Sequence, residues 1–165
     1  MSQAEIYQQE WCKDLIKRLG RKKELEARSD ILEATILRQG GPDSSIVASY
    51  GEKTKTTAIM SDAEVEFDKI NFELRVLNAA LNSLDRMDKL IIVLKYVEKG
   101  INDWHVIELE IPKYHFDRRG RPLYISERTF RDKKRKGLIQ MGKLLGYRVM
   151  GERNLADALI KEDNG

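Results

Sequence analysis

Between Met60 and Leu84 the apolar residues Met60, Ala63, Phe67, Ile70, Leu74, Leu77, Leu81 and Leu84 fall at alternating steps of three and four. That spacing puts them on one stripe of a single helix, the a/d pattern of a coiled-coil seam, and such a stripe must be covered by another helix. Ser61 followed by Glu64 has the spacing of a capping box and marks where this helix starts. The N-terminal stretch from Gln3 to about Gln39 lacks proline and carries Tyr7, Trp11, Leu15, Leu19, Leu25, Leu32 and Ile36 mostly at three-, four- or seven-residue steps, with Gly20 and Ser29 as weak points. It is the nearest candidate partner, folded back as an antiparallel hairpin through a loop of about residues 40–60, which holds Gly40, Gly41, Pro42, Ser44, Ser45 and Gly51. A second copy of the chain would cover the seam equally well, so a homodimer stays open.

The expected fold class is therefore all-α. Residues 1–84 form a long helical hairpin or coiled coil, residues 85–148 a C-terminal unit, and residues 149–165 a tail in which Leu155, Ala158 and Leu159 keep helical spacing. Within the C-terminal unit, Asp85 is a plausible cap, and Met87, Leu90, Ile91, Leu94 and Val97 lie on one face of a helix that stops at Gly100. Asn102 caps a second helix with Val106 and Leu109 inward, and Ser126 caps a third that ends at Gly146. This order is that of a helix-turn-helix. Residues 111–125 separate its last two helices, where the usual turn has three or four residues. With strand-favouring Tyr114, Phe116, Leu123 and Ile125 around a tip of Arg118, Arg119, Gly120 and Arg121, this insert reads as a small β-hairpin.

Charge is unevenly distributed. Lys and Arg against Asp and Glu number 10 and 9 over residues 1–60, 6 and 11 over 61–111, 12 and 3 over 112–148, and 2 and 4 over 149–165, which sum to the overall +3. A block of +9 in a nearly neutral chain points to phosphate as its partner. Along the third helix, Phe130, Leu138, Met141 and Leu145 share an inner stripe, and Arg128, Arg131, Asp132 and Arg135 share the outer one, flanked by Lys133, Lys134 and Lys136. Such a helix can enter the major groove of double-stranded DNA. Glu127, Arg128, Arg131, Asp132 and Arg135 are the candidate base readers, because arginine pairs bidentately with guanine and a carboxylate accepts from cytosine. Lys133, Lys134, Lys136 and Lys143 suit backbone phosphates, as do Ser126 and Thr129 at the helix start and Arg118, Arg119 and Arg121 at the insert tip.

Other chemistries find little footing. The single cysteine, Cys12, has no partner for an internal disulfide, and His105 and His115 lack neighbours at metal-ligand spacing, so neither a metal nor a cofactor is expected. No nucleotide-binding glycine motif or catalytic carboxylate pair stands out, and the chain is read as a non-enzyme. Trp11 and Trp104 are expected to be packing residues. The N-terminus lacks a signal-peptide pattern and no apolar run approaches the ~20 residues of a membrane span, so a cytoplasmic protein without membrane contact is expected.

The stretch Leu94-Lys95-Tyr96-Val97 running into Gly100, and Ile125-Ser126-Glu127-Arg128-Thr129-Phe130-Arg131 continuing to Leu144-Leu145-Gly146, resemble the phage-encoded ArpU/RinA-like late transcriptional regulators, whose helix-turn-helix is similar to sigma-70 region 4. The resemblance implies an activator or regulator of phage or prophage genes, acting in a bacterial host cell on a promoter element beside RNA polymerase. The long insert departs from the family's compact motif. The competing expectations are a DNA-packaging protein like a terminase small subunit, which also joins a helix-turn-helix to long helices, and a helical module that binds only protein.

Overall fold

The computed structural model of the protein describes residues 3–39 and 61–149. The expected loop at 40–60, the seam's first residue Met60 and the tail helix around Leu155 lie outside the described residues. The chain is mostly helical, as the all-α expectation requires, and no β-strand occurs among the described residues. It divides into two compact units: one combines residues up to Gly20 with those from Ala80 onward, and the other runs from Arg21 to Ala79.

The second unit is a helical hairpin. Helix α3 (Lys22–Arg38) packs on α4 (Asp62–Asn82). Leu32, Ile70 and Leu74 are its buried core, with Leu25, Ala63 and Phe67 partly buried around them. The seam residues Ala63, Phe67, Ile70 and Leu74 thus meet α3, and the Ser61 hydroxyl caps α4 by accepting from the Glu64 amide at 3.2 Å. The suspected weak point Ser29 does not break α3: it is buried, and its hydroxyl donates to Asn71 Oδ1 at 2.7 Å. The Arg28 guanidinium makes two bonds to the Glu66 carboxylate, at 2.9 and 3.0 Å, which hold that carboxyl below its usual range.

The N-terminal stretch is not one helix. It breaks at Gln9 and Arg21 into α1 (Gln3–Gln8), α2 (Glu10–Gly20) and α3. The first two belong to the other unit, so the division at residue 84 is replaced by boundaries at Gly20 and Ala80. The cause is what α2 buries. Trp11, Cys12, Leu15 and Leu19 are all inside, and burial alone raises the Cys12 thiol to about 11, which leaves it un-ionised at neutral pH.

The rest of that unit is built from α5 (Arg86–Ile92), which continues as a π-helical turn (Val93–Val97), and α6 (Asp103–His105), which passes through a second π turn (Val106–Glu110) into α7 (Ile111–Tyr114). Helix α8 (Glu127–Leu144) completes it. Asn102 caps α6 by accepting from the His105 amide at 2.8 Å. Ile91, Leu94, Val106, Ile107, Ile111 and Phe130 form the common core. Pro112 explains the widened turn before it: proline has no N–H for the carbonyl four residues back and its ring collides with that carbonyl, a conflict that a π turn relieves.

The expected hairpin over 111–125 is correspondingly shorter. Its first residues complete a helix, since proline is tolerated in a first helical turn, and the remainder holds one antiparallel bridge, Phe116 with Pro122. The bonds Leu123 N–H to His115 O (2.8 Å) and Asp117 N–H to Arg121 O (2.9 Å) flank that bridge. A ladder cannot extend from them. The His115 amide is spent on Ile111 O at the helix end, and the Arg121 amide on the Asp117 carboxylate.

Helix α8 contains two interior glycines, each costing about 1 kcal/mol of helix propensity relative to alanine. Close packing accounts for both. A Cβ on Gly137 would stand 2.9 Å from Ile92 Cγ1, and one on Gly142 would stand 2.7 Å from the Trp11 ring. Gly142→Ala is therefore expected to lower stability by roughly 1–3 kcal/mol through overpacking against a rigid indole, despite alanine's better propensity. Gly20→Ala meets at close range the movable end of Lys99, with the Tyr96 carbonyl at an ordinary 3.8 Å, and should be near neutral. Chemical denaturation of the two variants checks this, and equal stabilities would contradict the packing.

Candidate nucleic-acid interface

Helix α8 starts at Ser126, whose backbone is extended (φ −71°, ψ 158°) and whose hydroxyl oxygen accepts from the Thr129 amide at 3.1 Å. The same hydroxyl donates to Thr129 Oγ1 at 2.9 Å. The helix ends in a Schellman-type turn: Gly146 adopts φ 85°, open to glycine without strain, and the Tyr147 amide reaches back to Gly142 O at 2.9 Å. Tyr147 is held in turn by the Arg18 guanidinium at 3.0 Å and by Asp14.

Burial along α8 is asymmetric. From Gly137 to Gly142 nearly every residue is inside: Gly137, Leu138, Ile139, Met141 and Gly142 are buried. In the first two turns only Phe130 is buried, and Glu127, Arg128, Arg131 and Asp132 are exposed. Arg128, Arg131 and Asp132 lie on the side away from Phe130, as the spacing predicts, and Glu127 is exposed in the first turn. Glu127 and Arg131 lie 3.5 Å apart as an exposed i,i+4 pair, a contact worth about 0.3–0.5 kcal/mol and easily exchanged for another partner. Arg135 is half-buried, and its Nε is fully buried without a hydrogen-bond partner.

The lysines depart from the expectation of free phosphate contacts. Lys134 points inward: its side chain is only 12% exposed, its Nζ is 3.6 Å from Asp103, and it lies 5.5 Å from the ring centroids of both Tyr7 and Phe130. Burial pushes its ammonium below the ordinary lysine range. Asp103 also takes Lys95 at 2.6 Å. Burial alone would raise the Asp103 carboxyl, but the Lys95 bond and the Lys134 charge outweigh it and hold it below the usual range. Lys133 stands 3.7 Å from Asp88, a fully buried carboxylate, and Lys136 stands 3.4 Å from Asp85 and 3.8 Å from Asp88. Among the described residues both Asp88 oxygens lack hydrogen bonds, and these two ammonium groups offset its charge. Stripping a partner from a buried ion costs about 3–5 kcal/mol, more than one phosphate contact in water returns. Sequence periodicity put Lys133 and Lys134 on the helix flanks. Their acidic partners sit on other helices, which periodicity within α8 does not report. Lys143 is exposed near the end of the helix.

The insert tip is a separate small construction. Asp117 Oδ1 accepts from the Arg119 and Arg121 amides at 2.8 and 2.9 Å, Gly120 takes φ 77°, and Arg121 Nε lies 3.3 Å from Asp117 Oδ2. The side chains of Arg118, Arg119 and Arg121 are exposed. Trp104, expected to pack, is 64% exposed, because the inward positions of its helix are taken by Val106 and Ile107. Leu109 is likewise exposed rather than inward. Tyr124 is exposed shortly before the Ser126 cap.

Among the described residues no group of His, Cys, Asp and Glu is arranged to hold a metal ion, and no helix is long and apolar enough to cross a membrane. Compared with known proteins, the chain matches no protein-family model, no curated protein and no solved structure.

The Lys95–Asp103–Lys134 cluster yields a test. Asp103→Asn should destabilise the protein by about 1–3 kcal/mol, because Lys134 then keeps a largely buried charge without its counter-ion. A carboxyl whose folded pKa is depressed contributes its stability above the unfolded value of about 3.9 and loses it as pH falls through the lower folded value. The gap between wild type and variant should therefore be constant near neutrality and close below about pH 4. A gap unchanged at pH 3, read by thermal melts, would contradict the ion cluster.

Proposed function

We propose that this protein binds double-stranded DNA through the first two turns of α8 and acts as a sequence-specific regulator of transcription. One observation carries the reading: Phe130 is locked into the core of the helix-rich unit while Arg128, Arg131 and Asp132 face solvent on the other side of the same turns and Glu127 is exposed at the helix start. A recognition helix needs both properties, a rigid back and an exposed N-terminal face bearing groups that pair with base edges. Arg128 and Arg131 take the role of guanine readers and Asp132 and Glu127 that of acceptors. The Ser126–Thr129 cap directs the helix N-terminus, with its partial positive charge, toward phosphate. Arg118 and Arg119 on the Asp117-braced tip are secondary backbone contacts. The resemblance to ArpU/RinA-like regulators adds the setting, an activator of phage or prophage genes working beside RNA polymerase.

Duplexes enriched from a random-sequence library, titrated with protein over a salt series, test the proposal. Binding should weaken as salt rises, and Arg131→Ala should cost about 1–3 kcal/mol on the enriched duplex and relax its preference at one base pair. Absence of salt-sensitive binding to any duplex would overturn the function. Equal weakening on enriched and scrambled duplexes would remove Arg131 from base reading.

A further inference from the structure

Resting on the DNA-binding reading, we propose that Asp88 is a specificity-determining residue: from beneath α8 it withholds Lys133 from backbone phosphates. The helix is thereby left to grip DNA through its arginines. The arrangement depends on Gly137. Its missing side chain lets α5 approach until Asp88 Cβ lies 3.8 Å from where a Cβ on Gly137 would stand, and at that separation the Asp88 carboxylate is fully buried. Among the described residues its two oxygens make no hydrogen bond, and the ammonium groups of Lys133 and Lys136 offset its charge, at 3.7 and 3.8 Å. Lys133 cannot swing out to phosphate without leaving that buried carboxylate to Lys136 alone, a longer contact to a largely exposed side chain, which is costlier than breaking a surface pair.

The consequence for recognition follows from what each kind of contact reports. Lysine-to-phosphate contacts are blind to sequence and strengthen every site alike, whereas arginine contacts to base edges discriminate. An acid that holds a recognition-helix lysine inward therefore weakens binding to arbitrary DNA more than it weakens the preferred site. Asp103 does the same to Lys134 from the other flank. Negative charge placed in the acidic block of the chain thus edits the basic block, helix by helix.

Asp88→Asn keeps the side chain's shape and removes its charge. On a duplex of arbitrary sequence it should steepen the salt dependence of log K by about 0.9, which is about eightfold tighter binding at 0.1 M salt reckoned from 1 M. Adding Lys133→Gln to Asp88→Asn should abolish that gain. In the wild-type protein, acylation of the Lys133 amine, followed by peptide mass mapping, should be unaffected by saturating duplex. An unchanged slope in folded Asp88→Asn, or protection of wild-type Lys133 on duplex binding, would overturn the proposal while leaving the DNA-binding reading in place. If the wild type bound no duplex at all, both would fall together.

Discussion

The close seating of α8 against its neighbours is the constraint on which the rest of this unit depends. At Gly137 and Gly142 the helix gives up side chains so that Ile92 and the Trp11 indole can occupy the space. Gly137, Leu138, Ile139, Met141 and Gly142 are thereby committed to packing, and the surface available for the proposed recognition shrinks to the turns before them. Phe130 fixes the rotation of those turns by entering the core beside Ile111 and Val106. The orientation of Arg128 and Arg131 is thus set by packing at positions that carry no charge.

The same seating decides which cations count. A +9 block suggests a broad cationic helix, but at the distances found here Asp88, Asp85 and Asp103 compensate Lys133, Lys136 and Lys134. What faces outward over the first two turns is a smaller, mixed set in which two arginines stand beside two carboxylates. A surface of that kind favours discrimination over raw attraction, because mixed charge resists indiscriminate phosphate binding while arginine can still pair bidentately with a base.

The elements legible in the sequence were those governed by local rules. The three-four spacing from Ala63 to Leu81 required a partner helix, and the Ser61, Asn102 and Ser126 caps marked helix starts, because a period or a cap is a property of a few neighbouring residues. Features settled by distant partners were not legible. The breaks at Gln9 and Arg21 divide a stretch without proline because α2 buries Trp11, Cys12, Leu15 and Leu19 in a different unit from α3. The insert expected over 111–125 begins with a helical turn, Ile111–Tyr114, whose first turn tolerates Pro112, and this shortened the hairpin. Lys134 shares its surroundings with Tyr7 and Asp103, and Lys133 with Asp88, none of which any helical repeat brings together. For the candidate interface, the face opposite Phe130 followed from α8's own periodicity, whereas its reduction to the arginines came from tertiary ion pairs.

Amide chemical-shift mapping of the protein titrated with duplex DNA tests the central claim most directly, since it reports which residues meet the duplex without assuming a target sequence. Shifts are expected to concentrate from Ser126 to Arg135, with the buried residues Leu138, Ile139, Met141 and Gly142 little changed. Shifts confined to α3 and α4, or none anywhere in α8, would contradict it.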